Sequence, residues 1–200
     1  MNRLVIVGAG GHGKVIADIA LKNGYTDISF VDDNATGKCL NFPIIGTSEK
    51  QKAMNDTKTD FVIAVGNNHI RKKIAESHDL NWVKLIHPSA QIAYGVEIGE
   101  GTVVMAGVVI NSDAKVGMHC IINSCAVIEH DNRLGDFVHI SPNAVLGGTV
   151  YVGDNTHVGI GTTVRNNVTI GENTVIGAGA VVVKNISGGI YVGIPASLKT

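Results

Sequence analysis

Residues 86–187 read IHPSAQ IAYGVE IGEGTV VMAGVV INSDAK VGMHCI INSCAV IEHDNR LGDFVH ISPNAV LGGTVY VGDNTH VGIGTT VRNNVT IGENTV IGAGAV VVKNIS, seventeen six-residue units without an insertion. The first position of every unit is Ile, Leu or Val, and the fifth is nearly always small, as at Ala90, Thr102, Ala114, Cys120 and Ala126. A strict period of six is neither the 3.6 of a helix nor the 2 of a long strand. It fits short flat strands joined by tight corners, each sending one large and one small side chain into a narrow interior. Gly99, Gly117, Gly135, Gly153 and Gly171 add a period of eighteen, or three units. One full turn therefore takes three strands, and glycine recurring at one corner is expected to supply the backbone freedom of a sharp bend. Equivalent strands stack about 4.8 Å apart in successive turns, so each turn buries its apolar column against its neighbours and none is stable alone. The prediction is a triangular parallel β-helix over residues 86–200.

Residues 1–85 read differently. RLVIV (3–7) is a short apolar strand that runs into Gly8-Ala9-Gly10-Gly11-His12-Gly13 and then a helical pattern over 12–23. Glycines at this spacing let the backbone turn tightly and approach a ligand, while the helix N-terminus offers unpaired N–H groups to phosphate. A second strand, DISFV, ends at Asp32-Asp33, where an acid accepts ribose hydroxyls or simply makes a turn. A third, DFVIAV, ends at Gly66-Asn67-Asn68 and opens a helix over 68–79, with Asn67 either capping it or touching ligand. WVKLI (82–86) is the fourth expected strand, a further helix is expected over 47–55, and GKCLNFPIIGTSEK reads as a loop. Four strands make one mononucleotide-binding half, too little for a complete dinucleotide fold. An NAD-dependent oxidoreductase therefore rests on the glycine loop alone, and a nucleotide-sugar diphosphate fits the smaller cradle better. Pro88 marks the boundary, and no flexible linker separates the two domains.

Composition narrows the classes further. The chain is 44% hydrophobic and only 4% aromatic, which suits aliphatic ladders. A net charge of -1 and a pI near 6.7 give no basic patch for nucleic acid or anionic membrane. No apolar run approaches the roughly 18 residues of a membrane span, and the first residues enter a strand directly, which reads as cytoplasmic. Cys39, Cys120 and Cys125 form no zinc or redox pattern; Cys120 falls at an inward position and Cys125 beside the site described next.

Read vertically by eighteen, the repeat builds one chemical centre. In IEHDNR, His130 has Ser112 beneath it and Gly148 above, and Gly147 stands above Glu129. A histidine facing open space beside bare backbone N–H groups offers what acyl transfer needs: a base, and an oxyanion donor about 3 Å from the same carbon. Asp131 follows directly and can orient the imidazole. Asn132 occupies an inward small position, where an amide is costly unless bonded, and either braces the His130 corner or serves as a structural ladder. His139 and His157 are eighteen apart and should stack. The separations of His119, His130, His139 and His157 do not suit a three-histidine zinc site, so no metal is expected.

Four segments, VGAGGHGKV, VDD, AVGNNHIRKKI with LIHPSA, and NSCAVIEHDNRLGDFVHISPNAVLGG, together with the closing YVGIPA, resemble the hexapeptide-repeat acyltransferases. Within these the likeness is to the N-acetyltransferases of nucleotide-linked 4-amino-4,6-dideoxy sugars. The resemblance implies a Rossmann-like half domain followed by a left-handed β-helix, assembled as a homotrimer with three interfacial sites. It implies His130 as general base supported by Asp131, with the Gly148 N–H on the thioester oxygen and Asn123 on the sugar. Gly11, His12, Asp32, Asp33, Gly66 and Asn67 would hold the nucleotide sugar, with UDP the expected nucleotide and GDP or dTDP the alternatives. His139, Gly147, Ile160 and Gly177 would line the acetyl-CoA groove. O-acetylation of sialic acid or another sugar is the alternative activity. Ser197 stands where the closing motif of the family commonly carries a basic residue, which leaves the coenzyme A phosphate contact open, with Lys199 as the nearest replacement.

Overall fold

The computed structural model describes residues 2–47, 49 and 58–199. The first part is a three-stranded parallel sheet of β1 (Arg3–Val7), β2 (Ile28–Val31) and β5 (Thr59–Ile63), in the order β2-β1-β5. The hairpin of β3 (Lys38–Cys39) and β4 (Phe42–Pro43) lies between β2 and β5 in the chain. The stretch expected to be loop thus contains a small hairpin, seeded by left-handed Leu40, at φ 52°. Helix α1 covers Gly11–Lys22 and α2 covers Asn68–Ser77. Apart from 47 and 49, the helix expected over 47–55 lies outside the described residues.

One face of this sheet, carrying Leu4, Ile6, Phe30 and Val62, packs against Ile16, Ala17 and Ile19 of α1 and against Leu85, Val103 and Ile121 of the repeat. Val5, Val7, Val31 and Phe61 on the other face meet Ile74 of α2 and Leu80. The two parts therefore share a core. The expected fourth strand is not one of the sheet: Trp82 makes a single bridge to Phe61, and Leu85–Ile86 pairs instead with Val103–Val104 as the first rung of the repeat.

The second part is a left-handed parallel β-helix of about six turns. Its rungs are two-residue strands made by the sixth position of one hexad and the first of the next, and each pairs with the strand eighteen residues on, as in Val127–Ile128 with Val145–Leu146. Three sheets result. Their outward columns are Leu85, Val103, Ile121, His139, His157 and Val175 on face one, under the N-terminal part; Gln91, Val109, Val127, Val145, Thr163 and Val181 on face two; and Glu97, Lys115, Arg133, Tyr151 and Thr169 on face three. First-position Ile110, Ile122, Ile128, Ile140 and Leu146 interdigitate inside with fifth-position Val108, Ala114, Ala126, Val138 and Ala144, all fully buried.

The corners are built differently from the expectation. The bend is made at the fourth position of the hexad, where φ is positive in residue after residue, from 51° at His119 to 61° at Asp113 among the non-glycines of the repeat. The eighteen-spaced glycines occupy the second position and have no positive φ. Space is what they supply. A Cβ on Gly117 would come 2.5 Å from the Gly135 carbonyl oxygen, and one on Gly153 would come 2.4 Å from Glu172 N, so these glycines let successive corners touch.

Candidate active site

At the corner between faces two and three, His130 takes the third position and Asp131 the left-handed fourth, with φ 60°. That geometry turns the carboxylate back on its neighbour: His130 Nδ1 and Asp131 Oδ2 are 2.7 Å apart. The imidazole is solvent-exposed, and its pKa is raised, first by the hydrogen bond it donates to Asp131 and then by the charges of Asp131 and Glu129. With Nδ1 bound to a carboxylate, Nε2 is the nitrogen left for a substrate proton. It lies directly against the next coil, where a Cβ on Gly148 would sit 2.6 Å from it. Only glycine leaves room there.

Third-position N–H groups point away from the coil ladder. At the corner between faces one and three, those of Met118 and Asp136 are taken by the carboxylates of Asp136 and Asp154 one coil on. The residue one coil on from Gly148 is Asn166, and the Gly148 N–H makes no hydrogen bond among the described residues. A base nitrogen and an uncommitted donor thus stand side by side.

Asn132 fills both roles open to it. Its Nδ2 donates to the carbonyls of Glu129 (2.6 Å) and Gly147 (3.0 Å), and its Oδ1 accepts from Val150 N (3.2 Å). The last two bonds repeat the ladder that Thr102 and Thr156 make at their own levels. The first ties down the peptide before His130.

The cradle is at the carboxyl edge of the small sheet. Gly8 takes φ 109°, and a Cβ on Gly13 would fall 2.3 Å from the Gly8 carbonyl, so α1 packs on β1 only with glycine there. Around Gly10, Gly11 and Gly66 a Cβ would meet nothing within 4 Å, which leaves bare backbone open to a ligand. Asp32 braces the loop, accepting from Ala9 N at 2.7 Å and from Asn34 N at 2.8 Å, and Asn67 caps α2 by accepting from Ile70 N at 3.1 Å. Asp32 and Asp33 also line a cavity of about 510 Å³, whose opposite wall is Ile70, Lys73, Ile74 and Ser77 of α2. Nothing in the sequence analysis picked out that wall, although its spacing is one helical stripe.

His12 and His139 come together beside Gly66. His12 Nε2 is buried without a partner, and burial, then the charge of Arg71, lowers its pKa to about 4. His139 is pushed to about 3 by burial, then by His157 and Arg71, with the Gly66 backbone beside the ring; its Nδ1 is buried without a partner. Its Nε2 is 3.2 Å from Asn123 Nδ2. The ring stacks on His157 at 4.6 Å with parallel planes, as their spacing predicted.

The predicted residues fall into two groups. Gly11, His12, Asp32, Asp33, Gly66 and Asn67 adjoin face one, His139 stands on that face, and Asn123, Ile160 and Gly177 follow at its edge with face two. His130, Asp131, Gly147 and Gly148 occupy the far edge of face two. Within one chain, the whole of that face separates them. Among the described residues no three His, Cys, Asp or Glu side chains converge in a way that could hold a metal ion.

Comparison with known proteins finds the same two-part fold. The PglD N-terminal domain family matches residues 3–78, and the bacterial transferase hexapeptide (six repeats) family matches 95–130 and 149–184. The acetyltransferase domain of PglB from Neisseria gonorrhoeae FA1090 superposes over 100% of both chains with a TM-score of 0.97 and 38% identity. This chain belongs to the PglD-type hexapeptide-repeat acetyltransferases. Another such acetyltransferase fold, PerB from Caulobacter crescentus in complex with CoA and GDP-perosamine, has a TM-score of 0.94 and 37% identity, covering 100% of this chain and 98% of that one. The UDP-N-acetylbacillosamine N-acetyltransferase of Bacillus subtilis (strain 168) is 41% identical over 115 residues, 53% of this chain. That match spans about half of the curated relative, 52% of its length.

Proposed function

We propose that the protein is an acetyl-CoA-dependent N-acetyltransferase acting on the 4-amino group of a nucleotide-linked 4-amino-4,6-dideoxy sugar, with UDP as the nucleotide. The observation that carries this reading is the His130–Asp131 pair lying against Gly148, whose N–H is unspent. The B. subtilis relative supports UDP, while the GDP-perosamine bound to PerB marks GDP as the alternative. His130 Nε2 removes the proton of the amine as nitrogen attacks the thioester carbon, and the Gly148 N–H stabilises the oxyanion. The C–N bond forms, the C–S bond breaks, and the proton passes from imidazolium to the leaving thiolate.

The nucleotide is held by the open backbone at Gly11 and Gly66 and by the cavity along Asp32 and Asp33. Asn123, His139, Gly147, Ile160 and Gly177 border the donor and the sugar. Because face two lies between the two groups, the complete centre needs a second copy whose His130 corner meets the Asn123–His139 edge, and a homotrimer closes three such centres around one axis. The reaction belongs in the cytoplasm, where acetyl-CoA and activated sugars are made. The test is thiol release from acetyl-CoA with a panel of UDP-, dTDP- and GDP-linked 4-amino sugars and their 4-hydroxy counterparts. Release is expected with an amino sugar only; release with the hydroxy sugars alone would replace N-transfer by O-transfer, and release with neither would discard the reading.

A further inference from the structure

The seam between the cradle and the β-helix is held by a side chain that the chemistry above does not use. Arg71 of α2 is 1% exposed. Its Nε donates to the His119 carbonyl at 2.7 Å, Nη1 to the carbonyls of Val65 at 3.0 Å and Gly66 at 3.2 Å, and Nη2 to Asn68 Oδ1 at 2.8 Å and the Phe137 carbonyl at 2.9 Å. All five N–H groups of the guanidinium are therefore satisfied. None of them goes to a carboxylate.

A buried cation without an anion is an expensive way to fill a seam, and apolar residues of the same volume commonly do it at lower cost. Apolar packing, however, does not hold three separate backbone segments in fixed register. Arg71 does so with the end of the cradle at Val65–Gly66, the corner at His119 and the corner at Phe137. Both ends matter for the site, because the Gly66 backbone lies beside the His139 ring and Phe137 is two residues before His139 in the chain. Asn68 reinforces the seam from the same helix, accepting from Arg71 and donating through Nδ2 to the carbonyls of Asn155 and Thr156, each at 3.1 Å.

We propose that Arg71 is a positioning residue for acetyl transfer: its five donors lock the Gly66 end of the cradle onto the coil that carries His139, and so set where the bound sugar stands relative to the β-helix. The inference rests on the transferase reading for its consequence but not for its geometry. A displacement of about 1 Å between reacting groups costs on the order of 10²-fold in rate. Lysine keeps the charge but has three donors on a flexible stem, so it cannot span the three segments.

In Arg71→Lys, kcat/KM for whichever amino-sugar nucleotide the wild-type protein uses is expected to fall about 10²-fold. The affinity for the bare nucleoside diphosphate, measured by titration calorimetry, is expected to stay, because that ligand needs only the cradle. Asn68→Asp, which removes the donors to Asn155 and Thr156 but leaves the acceptor for Arg71, is expected to lower kcat/KM in the same sense by less and likewise to leave the diphosphate affinity unchanged. It also serves if Arg71→Lys does not fold. A merely stabilising residue would lower the melting temperature and leave kcat/KM unchanged well below it, and that result would overturn the proposal. Hydrogen exchange supplies an arm that needs no substrate. In the variants the amides of 66–71, 119 and 137 should lose protection ahead of the β-helix core, and unchanged protection there would also overturn it. Absence of thiol release by the wild-type protein would sink the transferase reading while leaving this arm to decide the clamp.

Discussion

His130 is held to Asp131 at 2.7 Å, and that contact sets its titration. The imidazole works as a base only when neutral. A raised pKa therefore keeps it protonated to higher pH, and the rate falls as pH drops through that raised value. Asp131→Asn removes the first cause of the shift, so the acid limb of kcat/KM should move to lower pH while the maximal rate falls. An unmoved limb would show that some other group titrates. His130→Ala should lose about 10² to 10⁴-fold in kcat, followed by thiol release, with substrate affinity retained. Gly148→Ala tests the partner: its Cβ would intrude to 2.6 Å from Nε2. Because the ring is exposed and can swing away, the expected result is an unchanged melting temperature and a large loss of turnover. These residues were legible because stacking by eighteen is simple arithmetic on the sequence. Arg71 and the Lys73–Ser77 wall were not, because a helix read in isolation does not disclose what its buried face meets.

At the scale of elements, the hexad supplies its own repair kit. Thr102 and Thr156 show that a fifth-position hydroxyl can donate fifteen residues ahead and accept from eighteen ahead. Asn132→Thr should therefore keep the bonds to Gly147 and Val150 and hold the melting temperature, yet release the Glu129 carbonyl and lower kcat. Asn132→Ala leaves buried groups unpaired at roughly 1–3 kcal/mol each, and chemical denaturation should show it. The junction of the N-terminal part with face one carries the acid sensitivity. His12 and His119 sit near 4 and His139 near 3, all through burial first, against an ordinary value of 6.5. Below about pH 6.5 the unfolded chain takes up protons that the folded one refuses, so stability falls as pH drops from there towards 4, by up to ~1.4 kcal/mol per pH unit for each histidine. His119 stacks on Phe137 at 5.3 Å, and its Nδ1 has no partner. His119→Phe should flatten the fall of melting temperature with pH, and an identical profile would remove His119 from the account. The corners also show why the glycines were misread: a period reveals that a position is constrained, whereas only coordinates separate a constraint on φ from a constraint on space.

For the whole molecule, the three faces differ in what they leave to water. Face one is covered at Val103 and Ile121 by the N-terminal part. Face three carries Glu97, Lys115 and Arg133, with an ion pair between Lys115 and Glu97 at 2.7 Å. Face two presents Val109, Val127 and Val145 in one flat column, flanked by Gln91 at one end and by Thr163 and then Val181 at the other, with Val145 37% exposed. An apolar strip of this kind beside a charged neighbour is what an interface with further copies requires. It is also the face whose two edges carry the separated halves of the proposed centre, so on that reading assembly and activity should be lost together. Val145→Asp points its new charge outward and leaves the inner ladder of Leu146 and Ala144 untouched, so each chain should still fold with a near wild-type circular dichroism spectrum. Sedimentation velocity is expected to show monomers, and thiol release should fall to background because no second copy brings His130 to the Asn123–His139 edge. A monomer that still turned over at the wild-type rate would mean that one chain closes the centre on its own, and the division of the site across face two would have to be abandoned.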